Sequence, residues 1–361
     1  MRRAGRLPLA SVVRSLLRVP CRPSSREGRP PAPLGARILT NPDHIFQHNM
    51  WDHVQWSEED KENARQKVEK NSSVRIPPEE QVNYDRNAHL YWDGFYEMHQ
   101  NKFFKDRTWL FQEFPELLSA GPAPPCGGAS APQLRDTAEG ESLGDCEGGG
   151  RREGGETGSQ AGAFPGSEAD FRILEVGCGA GNSVFPILSS INSGTFLYCC
   201  DFSPRAVQLV KAHPAYDPSL CHTFVQDVCE EASLFPFPPG SLNVILLIFV
   251  LSSIHPERMQ GVLNRLSQYL KPGGMFLFRD YGRYDLSQLR FKTGRCLSEN
   301  FYSRGDGTCV YFFTKDEVHH LFTSAGLKEV QNLEDRRLQV NRRKKVVMRR
   351  VWMQSKYQKP L

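Results

Sequence analysis

Phe171-Arg172-Ile173-Leu174-Glu175-Val176-Gly177-Cys178-Gly179-Ala180-Gly181 is the stretch that decides the fold. An apolar strand that leads into a glycine-rich turn is typical of a doubly wound α/β sheet, which binds nucleotide-like ligands at the carboxyl ends of its strands. Glycines in the turn let the main chain approach that ligand closely. The Gly-x-Gly-x-Gly spacing differs by one residue from the dinucleotide fingerprint, and no Gly-Lys-Ser/Thr follows it, which argues against NAD and ATP.

Two acidic residues follow at positions that suit the same ligand. The segment 195–200 predicts a second strand ending at Asp201, whose carboxylate can accept hydrogen bonds from both ribose hydroxyls. The segment 223–226 predicts a third strand ending at Asp227, placed to meet an adenine edge. Each acid alone can equally be a helix cap or a loop residue. Their order along the chain favours one shared site.

The apolar run over 242–251 predicts a central strand that is buried on both faces. Ile248, near the end of this run, is predicted to press on the adenine ring. Helical spacing over 256–270 predicts the next helix. The sequence Lys271-Pro272-Gly273-Gly274 predicts a turn, and another strand is predicted to begin with 275–278.

Composition excludes several classes of protein. A formal net charge of +4 is only mildly basic, and 39% hydrophobic residues permit a packed core. The longest apolar run, 244–251, is far shorter than the ~20 residues that span a bilayer, so no membrane association is expected. Ten cysteines without a Cys-x-x-Cys pair predict no zinc site, no other metal centre and a reducing compartment.

Two tracts of unusual composition divide the chain. Residues 1–33 carry eight arginines against one acid together with an apolar helical face, as mitochondrial transit peptides do. A disordered basic arm for RNA binding or nuclear targeting is the alternative. Residues 119–170 are dominated by Gly, Ala, Pro, Ser and Glu, which predicts a disordered insert. The predicted organisation is therefore a presequence over 1–33, a helical region over 34–118, the insert, and an α/β domain over 171–361.

The helical region is rich in aromatic residues. Over 79–100 a helix is predicted whose aromatic side chains, including Trp92 and Tyr96, face one way; most such stripes belong to a core. Directly after it, basic and aromatic residues interleave in a pattern suited to phosphate contact and base stacking. A packing hinge with solvated charges is the alternative. The candidate RNA-binding residues of this segment are Phe103, Phe104, Lys105 and Arg107.

A dense basic run lies near the carboxyl terminus on a predicted hairpin. Its members are Arg336, Arg337, Arg342, Arg343, Lys344, Lys345, Arg349 and Arg350. A charge run is usually a solvated face, but this arginine density favours contact with RNA phosphates. Arg342 and Arg343 are the candidate RNA-binding residues.

Several motifs together resemble those of the tRNA N3-methylcytidine methyltransferases. The general features are the glycine loop 175–181, the two acids and the Lys-Pro-Gly-Gly turn. The more specific features are Phe103-Phe104-Lys105-Asp106-Arg107, Asp201-Phe202-Ser203-Pro204-Arg205, Ile248-Phe249-Val250-Leu251-Ser252, Phe278-Arg279-Asp280-Tyr281-Gly282 and Glu299-Asn300-Phe301-Tyr302. The likeness covers nearly everything outside the presequence and the insert.

This resemblance implies a seven-stranded α/β class I methyltransferase (Rossmann-like) sheet with helices on both faces, extended by N-terminal helices. The implied cofactor is S-adenosyl-L-methionine. The resemblance implies eight cofactor-binding residues, three of them glycines of the loop: Trp92, Tyr96, Gly177, Gly179, Gly181, Asp201, Asp227 and Ile248.

The resemblance also implies the substrate. In this family the methyl group goes to N3 of cytidine 32 in the anticodon stem-loop of tRNAs for threonine and serine, and a seryl-tRNA synthetase is a partner. Together with the Arg-rich start, the likeness implies the mitochondrial matrix. The cytoplasm or nucleus is the alternative where the start is not used as a presequence.

The implied chemistry needs few acid–base groups. Cytosine N3 carries a lone pair at neutral pH, so the enzyme must mainly align it with a sulfonium methyl group and exclude water. The product ring is cationic, which a carboxylate would stabilise. Asp280 is the catalytic candidate, and a salt bridge to Arg279 or Arg283 is the alternative. Arg279 and Tyr281 are further candidates for RNA contact.

Other functions stay open at this point. One is methyl transfer to another RNA, a protein or a small molecule, and the other is a non-catalytic RNA-binding scaffold. The basic segments favour RNA over a small metabolite. The intact glycines and both acids favour catalysis over a scaffold.

Overall fold

A computed structural model describes residues 37–118 and 164–361. The predicted presequence and most of the predicted insert lie outside these residues. The strands are, in chain order, β1 (Met50–Trp51), β2 (Phe171–Val176), β3 (Thr195–Asp201), β4 (Cys221–Val225), β5 (Leu242–Ile248), β6 (Leu270–Tyr281), β7 (Cys296–Ser298), β8 (Phe301–Ser303), β9 (Cys309–Tyr311), β10 (Lys328–Asn341) and β11 (Val346–Gln358).

Helices alternate with these strands or cap the ends of the sheet. In chain order they are α1 (Glu58–Asn71), α2 (Pro78–Arg86), α3 (Ala88–His99), α4 (Leu110–Glu113), α5 (Val184–Leu188), α6 (Pro204–Lys211), α7 (Pro256–Tyr269), α8 (Leu286–Leu289) and α9 (Lys315–Ser324). Short 3-10 turns occupy Pro42–His44, Pro115–Leu117 and Leu251–Ser253.

The main sheet has the strand order β1-β10-β11-β6-β5-β2-β3-β4, and β7, β8 and β9 form a small second sheet. Strands β6, β5, β2, β3 and β4 run parallel, whereas β11 is antiparallel to β6 and to β10. This order is that of the class I methyltransferase sheet, so the predicted fold is confirmed. An eighth strand, β1, comes from the N-terminal region and was not predicted.

Helices cover both faces of the sheet. Successive side chains of a strand point to opposite faces, so each strand contributes to two cores. On β2, Leu174 belongs to a core built with α7 and α9. Its neighbour Ile173 belongs to a second core built with α4, α5 and α6. The parallel strands are therefore apolar on both faces, as the sequence of β5 predicts.

The predicted helix over 79–100 is wrong as a single element. It is two helices, α2 and α3, which meet at Asn87. Asn is unfavourable inside a helix because its short polar side chain competes for backbone groups, and it is common at helix ends. The break lets α3 carry Trp92 and Tyr96 along the carboxyl edge of the sheet.

Two other predicted boundaries also change. The central strand ends at Ile248, three residues early, because Phe249 adopts a left-handed φ of 60°. The predicted turn over 271–274 lies inside β6 instead. Its backbone pairs with Lys359, with Gly273 N–H donating to Lys359 O and Lys359 N–H donating to Gly274 O, each at 2.9 Å.

The end of the predicted disordered insert is folded. Residues 164–170 form turns against the sheet, and the Arg172 guanidinium lies 5.5 Å from the ring centroid of Phe164. The Tyr198 hydroxyl donates to the carbonyl oxygen of Pro165. The prediction of disorder rested on the low apolar content of the whole tract, which does not reveal a few residues that pack at its end.

The hairpin of β10 and β11 extends past the sheet. Tyr281, the last residue of β6, pairs with Trp352 of β11. Six residues of β11, 346–351, therefore continue beyond the carboxyl edge of β6, a distance of roughly 20 Å at the usual rise of a strand. Of the helices described, none is long and apolar enough to cross a membrane.

Candidate cofactor and RNA site

The loop after β2 contains glycines at positions that are unfavourable for a residue with a Cβ atom. Gly177 and Gly179 have φ of 63° and 55°, in the left-handed region that favours glycine. A Cβ atom at Gly177 would lie 2.5 Å from Val250 Cγ2, and one at Gly179 would lie 2.5 Å from the Tyr96 hydroxyl oxygen. The loop thus leaves a bare backbone cradle at the carboxyl edge of the sheet.

Asp201 ties this loop to the end of β3. Its Oδ2 accepts from Gly179 N–H at 2.9 Å, and its Oδ1 accepts from Ser203 N–H at 3.0 Å. Burial raises the pKa of Asp201 to about 6, against the lowering effect of these two hydrogen bonds. Each carboxylate oxygen has a second lone pair, so Asp201 can still accept from ribose hydroxyls.

Five of the predicted cofactor residues line one cavity. Trp92, Tyr96, Gly177, Asp201 and Asp227 surround it from three directions: α3, the glycine loop and the ends of β3 and β4. Gly179 and Gly181 shape the loop without lining the cavity. The donor set is suited to an adenosyl sulfonium: carboxylates for the hydroxyls and the adenine edge, aromatic rings for the cation, and bare backbone for close approach.

Helix α3 is held at the carboxyl edge of the sheet by hydrogen bonds. The Asp93 carboxylate accepts from the Ser203 hydroxyl and, at 3.2 Å, from Arg205 N–H. Burial raises the pKa of Tyr96 well above its usual value, so its hydroxyl stays protonated. The N-terminal region therefore forms one wall of the cofactor site.

Ile248, a predicted cofactor contact, does not line this cavity. Its side chain is 1% exposed and packs in the core on the α5 face of the sheet. The next residues, Phe249 and Val250, line the cavity instead. The prediction is wrong by one residue because the strand ends at Ile248 and the left-handed Phe249 redirects the chain.

Sequence reasoning missed the polar rim of the cavity. Asp85 of α2 forms an ion pair with Arg258 of α7, and both line the cavity. Arg86, His89 and His255 line it as well. No local pattern marks these residues, because they meet only when α2 packs over the start of α7.

Arg107 contacts the glycine loop and the helix that follows it. Its guanidinium Nη1 donates to Ser183 Oγ at 2.8 Å and lies 3.6 Å from Glu175 Oε1. Burial raises the pKa of Glu175 to about 7, while Arg107 acts to lower it. Arg107 also lies 5.8 Å from the ring centroid of Phe249. These partners leave it as a bridge between the N-terminal segment and the loop.

Asp280 is fully buried at the end of β6. Its oxygens accept from Ser252 N–H at 2.9 Å and from Tyr281 N–H at 2.8 Å. Burial raises its pKa to about 6. Asp280 does not line the cavity, so the structure gives it the position of a residue that holds two loops together.

Arg279 is a structural arginine, and its predicted RNA contact is wrong. It is 4% exposed, its guanidinium donates to Asp335 at 2.6 Å, and it lies between the rings of Trp109 and Trp352. Its partner is therefore Asp335 and not Asp280. Arg283 pairs with Glu317, so the alternative role expected for Asp280 is wrong as well.

Comparisons with known proteins identify the family. A family described as a methyltransferase domain matches residues 174–276. The tRNA N(3)-cytidine methyltransferase METTL2 of Danio rerio is 55% identical over 342 residues, covering 94% of this chain and 92% of that protein. The chain belongs to the tRNA N(3)-cytidine methyltransferase family.

Other members of the tRNA N(3)-cytidine methyltransferase family are nearly as similar. The human METTL2B is 51% identical over 364 residues, covering 91% of this chain and 93% of that protein. The mitochondrial METTL8 of Mus musculus is 49% identical over 264 residues, covering 63% of this chain and 89% of that protein. The predicted family and enzyme class are confirmed, and the cofactor is S-adenosylmethionine.

The aromatic and basic segment of this methyltransferase is partly open to solvent. Phe103 is 56% exposed, although its ring contacts Phe95 and Phe104 at centroid distances of 4.9 and 4.8 Å. Lys105 is exposed and Phe104 is half-buried. Half-buried Tyr281 lies 5.0 Å from the ring of Phe249, which connects it to the cofactor cavity.

Half of the basic run of the hairpin is neutralised internally. Ion pairs join Arg336 to Glu334, Arg337 to Asp52, Glu113 and Asp335, Arg349 to Asp60, and Arg350 to Asp285. The four residues of the turn, 342–345, are exposed, and none has an acidic partner among the residues that the structure describes. Arg342 and Arg343 belong to this basic tip.

A metal centre has no counterpart in the described segments. Within 37–118 and 164–361, no group of three or more His, Cys, Asp or Glu side chains is arranged to hold an ion.

Proposed function

We propose that this protein methylates N3 of cytidine 32 in the anticodon loop of mitochondrial tRNAs for threonine and serine. The observation that carries the proposal is the cavity lined by Gly177, Asp201 and Asp227 in a chain 55% identical to a tRNA N(3)-cytidine methyltransferase. The position in the tRNA and the choice of tRNAs rest on the motif resemblance.

The residues of the cleft bind and orient the donor. Asp201 accepts from the ribose hydroxyls, Asp227 meets the adenine edge, and the Gly177 backbone passes beside the methionine portion. Trp92 and Tyr96 close the site from α3 and exclude water. When bound, S-adenosylmethionine supplies a methyl group on a positively charged sulfur, which a lone pair can displace without a general base.

The acceptor base is held on the side of the cleft formed by Phe249 and Tyr281. Phe249 lines the cavity in a strained left-handed conformation, and such strain is concentrated at functional sites. Its ring and that of Tyr281 offer a surface for a cytosine taken out of its stack. Asp280 acts as a positioning residue here, because it fixes the backbone at Ser252 and Tyr281.

The RNA backbone is bound outside the cleft. The basic tip over 342–345 extends past the same sheet edge, and exposed Lys105 and Phe103 lie beside the wall formed by α3. Unpaired cations next to an exposed aromatic ring suit phosphates and an unpaired base. A seryl-tRNA synthetase is the protein partner that the resemblance implies, and co-purification with that synthetase tests it.

The proposed location is the mitochondrial matrix. The composition of residues 1–33 and the label of the mitochondrial METTL8 relative support it. The METTL2 relatives carry no such label. A fluorescent fusion of the full chain should enter mitochondria, whereas a fusion that lacks residues 1–33 should not. Equal cytoplasmic or nuclear signal from both fusions would favour a basic arm instead.

Nucleoside analysis tests the reaction. Purified full-length protein is incubated with S-adenosylmethionine and with separated mitochondrial and cytosolic tRNA pools, which are then digested to nucleosides. We expect new 3-methylcytidine in the mitochondrial pool and none with the Asp201→Ala variant. Product only from cytosolic tRNA would contradict the substrate choice. Cofactor binding without any tRNA product would favour another substrate, and no cofactor binding would favour a scaffold.

A further inference from the structure

We infer that the loop between α8 and β7 forms a second surface for the RNA backbone, separate from the basic tip. We call it the 290–295 patch; its cations are Arg290, Lys292 and Arg295, with Arg75 from the segment before α2. The inference rests on the proposed tRNA substrate. The inference extends that proposal by stating which surface of the protein contacts the RNA outside the anticodon loop.

The charges of the patch are not neutralised. All four side chains are exposed, and none forms an ion pair or side-chain hydrogen bond with any residue of 37–118 or 164–361. Glu299, the acid nearest in sequence to Arg295, forms no ion pair within the described segments, and its carboxylate accepts from the side chain of Asn300 at 3.4 Å. Arginines elsewhere on this edge, such as Arg283 and Arg350, do have acidic partners. The patch is therefore a local excess of positive charge.

The patch is built on a fixed backbone. Arg75 forms a bridge with Cys296, and Ile76 N–H donates to Cys296 O at 2.8 Å. Inside the loop, the Phe291 ring stacks on Tyr302 with centroids 4.7 Å apart. Four like charges held together repel one another, and a bound polyanion removes that repulsion. Little conformational entropy is lost on binding because the backbone is already ordered.

The patch and the basic tip lie on the same side of the sheet but far apart. Asp285 caps the start of α8, and its carboxylate accepts from Val351 N–H at 2.9 Å. Val351 is one residue past the last pairing of β11 with β6. From Val351 to the basic tip, β11 and the turn cover roughly 25 Å at the rise of an extended strand. A small molecule cannot span that distance, whereas a folded RNA can contact both surfaces.

Two charge-matched double variants test the patch. Lys292→Gln with Arg295→Gln removes two of its charges. Lys211→Gln with Lys328→Gln removes two exposed charges from the opposite edge, where Lys328 pairs with Gln358 beside the amino end of β6. Binding of full-length tRNA is measured by fluorescence anisotropy at several salt concentrations, and cofactor affinity is measured in parallel.

The patch variant should bind tRNA roughly tenfold more weakly at 0.1 M salt, with a salt slope reduced by about 1.5, because about two phosphate contacts are lost. The control variant should match the unmodified protein, and both variants should bind S-adenosylmethionine normally. Unchanged tRNA affinity and slope in the patch variant would overturn the inference. Equal losses in both variants would also overturn it, since only net charge would then matter.

The proposed function can fail separately. If the unmodified protein forms no 3-methylcytidine in any tRNA, the reaction is wrong whatever the binding data show. If it forms 3-methylcytidine and the patch variant retains full tRNA affinity, the reaction stands and the patch is excluded.

Discussion

The base and the tip of the β10–β11 hairpin both contain arginines, but the arginines differ in burial and in whether they have acidic partners. At the base, Arg337 is surrounded by Asp52, Glu113 and Asp335, and Arg279 of β6 lies between two tryptophan rings. At the tip, residues 342–345 are exposed and have no acidic partner within the described segments. Burial therefore separates arginines that hold the sheet together from arginines that are available to a ligand.

The cofactor cleft resembles the base of the hairpin, because a buried charge there also has partners within the protein. Asp201, which lines the cleft, is buried and accepts hydrogen bonds from the protein backbone, and buried Glu175 lies behind the glycine loop within 3.6 Å of Arg107. A change to a buried charge should lower stability or cofactor affinity. A change to an exposed, unpaired charge should alter RNA binding alone. The following predictions test that division, from the largest expected effect to the smallest.

Arg279→Ala should lower the free energy of unfolding by about 3–5 kcal/mol, because it removes one partner of a buried ion pair. Denaturant unfolding measures the loss. Arg342→Ala is the matched control and should change stability by less than about 0.5 kcal/mol. Similar stability of both variants would contradict the division between base and tip.

Asp201→Ala should weaken the affinity for S-adenosylmethionine by roughly a hundredfold, because charge-assisted hydrogen bonds to the ribose and to the loop are lost. Isothermal titration calorimetry on the folded variant measures this effect. Asp217→Ala removes an exposed aspartate whose carboxylate accepts from Ser219, and it should leave cofactor affinity unchanged. Normal affinity in a folded Asp201→Ala protein would refute the assigned role.

Arg342→Gln combined with Arg343→Gln should weaken tRNA binding by roughly tenfold and flatten its salt dependence, since phosphate contacts are lost. Cofactor affinity should not change. Anisotropy titrations with tRNA at several salt concentrations measure both quantities. An unaltered salt slope would remove the basic tip from the RNA-binding surface.

Cofactor affinity should fall as the pH is lowered through about 6. Only ionised Asp201 accepts from both backbone and ribose, so protonation near its pKa of about 6 removes the acceptor. At pH 5.5 the affinity should be about threefold to fivefold weaker than at pH 7.5. The Glu175→Gln variant separates the two buried acids: a pH profile that becomes flat in this variant would assign the effect to Glu175.

The strands and the glycine loop could be predicted because their signals are local. An apolar run followed by glycines specifies β2 and its turn. Asp201 at the end of β3 and Asp227 just after β4 follow at the expected spacing. The positions of Arg107 and Arg279 could not be predicted. Their partners, Glu175 and Asp335, are distant in sequence, and only the folded chain determines which arginines become buried.

The polar rim of the cavity could not be predicted for a related reason. Asp85 and Arg258 are far apart in the chain and meet only through the packing of α2 against α7. Ile248 shows the limit of a hydrophobic pattern: apolar sequence signals burial but does not show where a strand ends. The left-handed Phe249 determines that point, and a single sequence carries no rule for it.

The two-residue strand β1 covers a short part of the outer edge of β10. Met50 and Trp51 pair with Gln339 and Leu338 on the part of β10 that extends past the sheet. An uncovered strand edge at this place would offer free N–H and C=O groups to another polypeptide. Shortened forms that start after Trp51 would therefore expose this part of the edge of β10 to pairing with other chains, and they would be expected to aggregate even where the cofactor cavity remains intact.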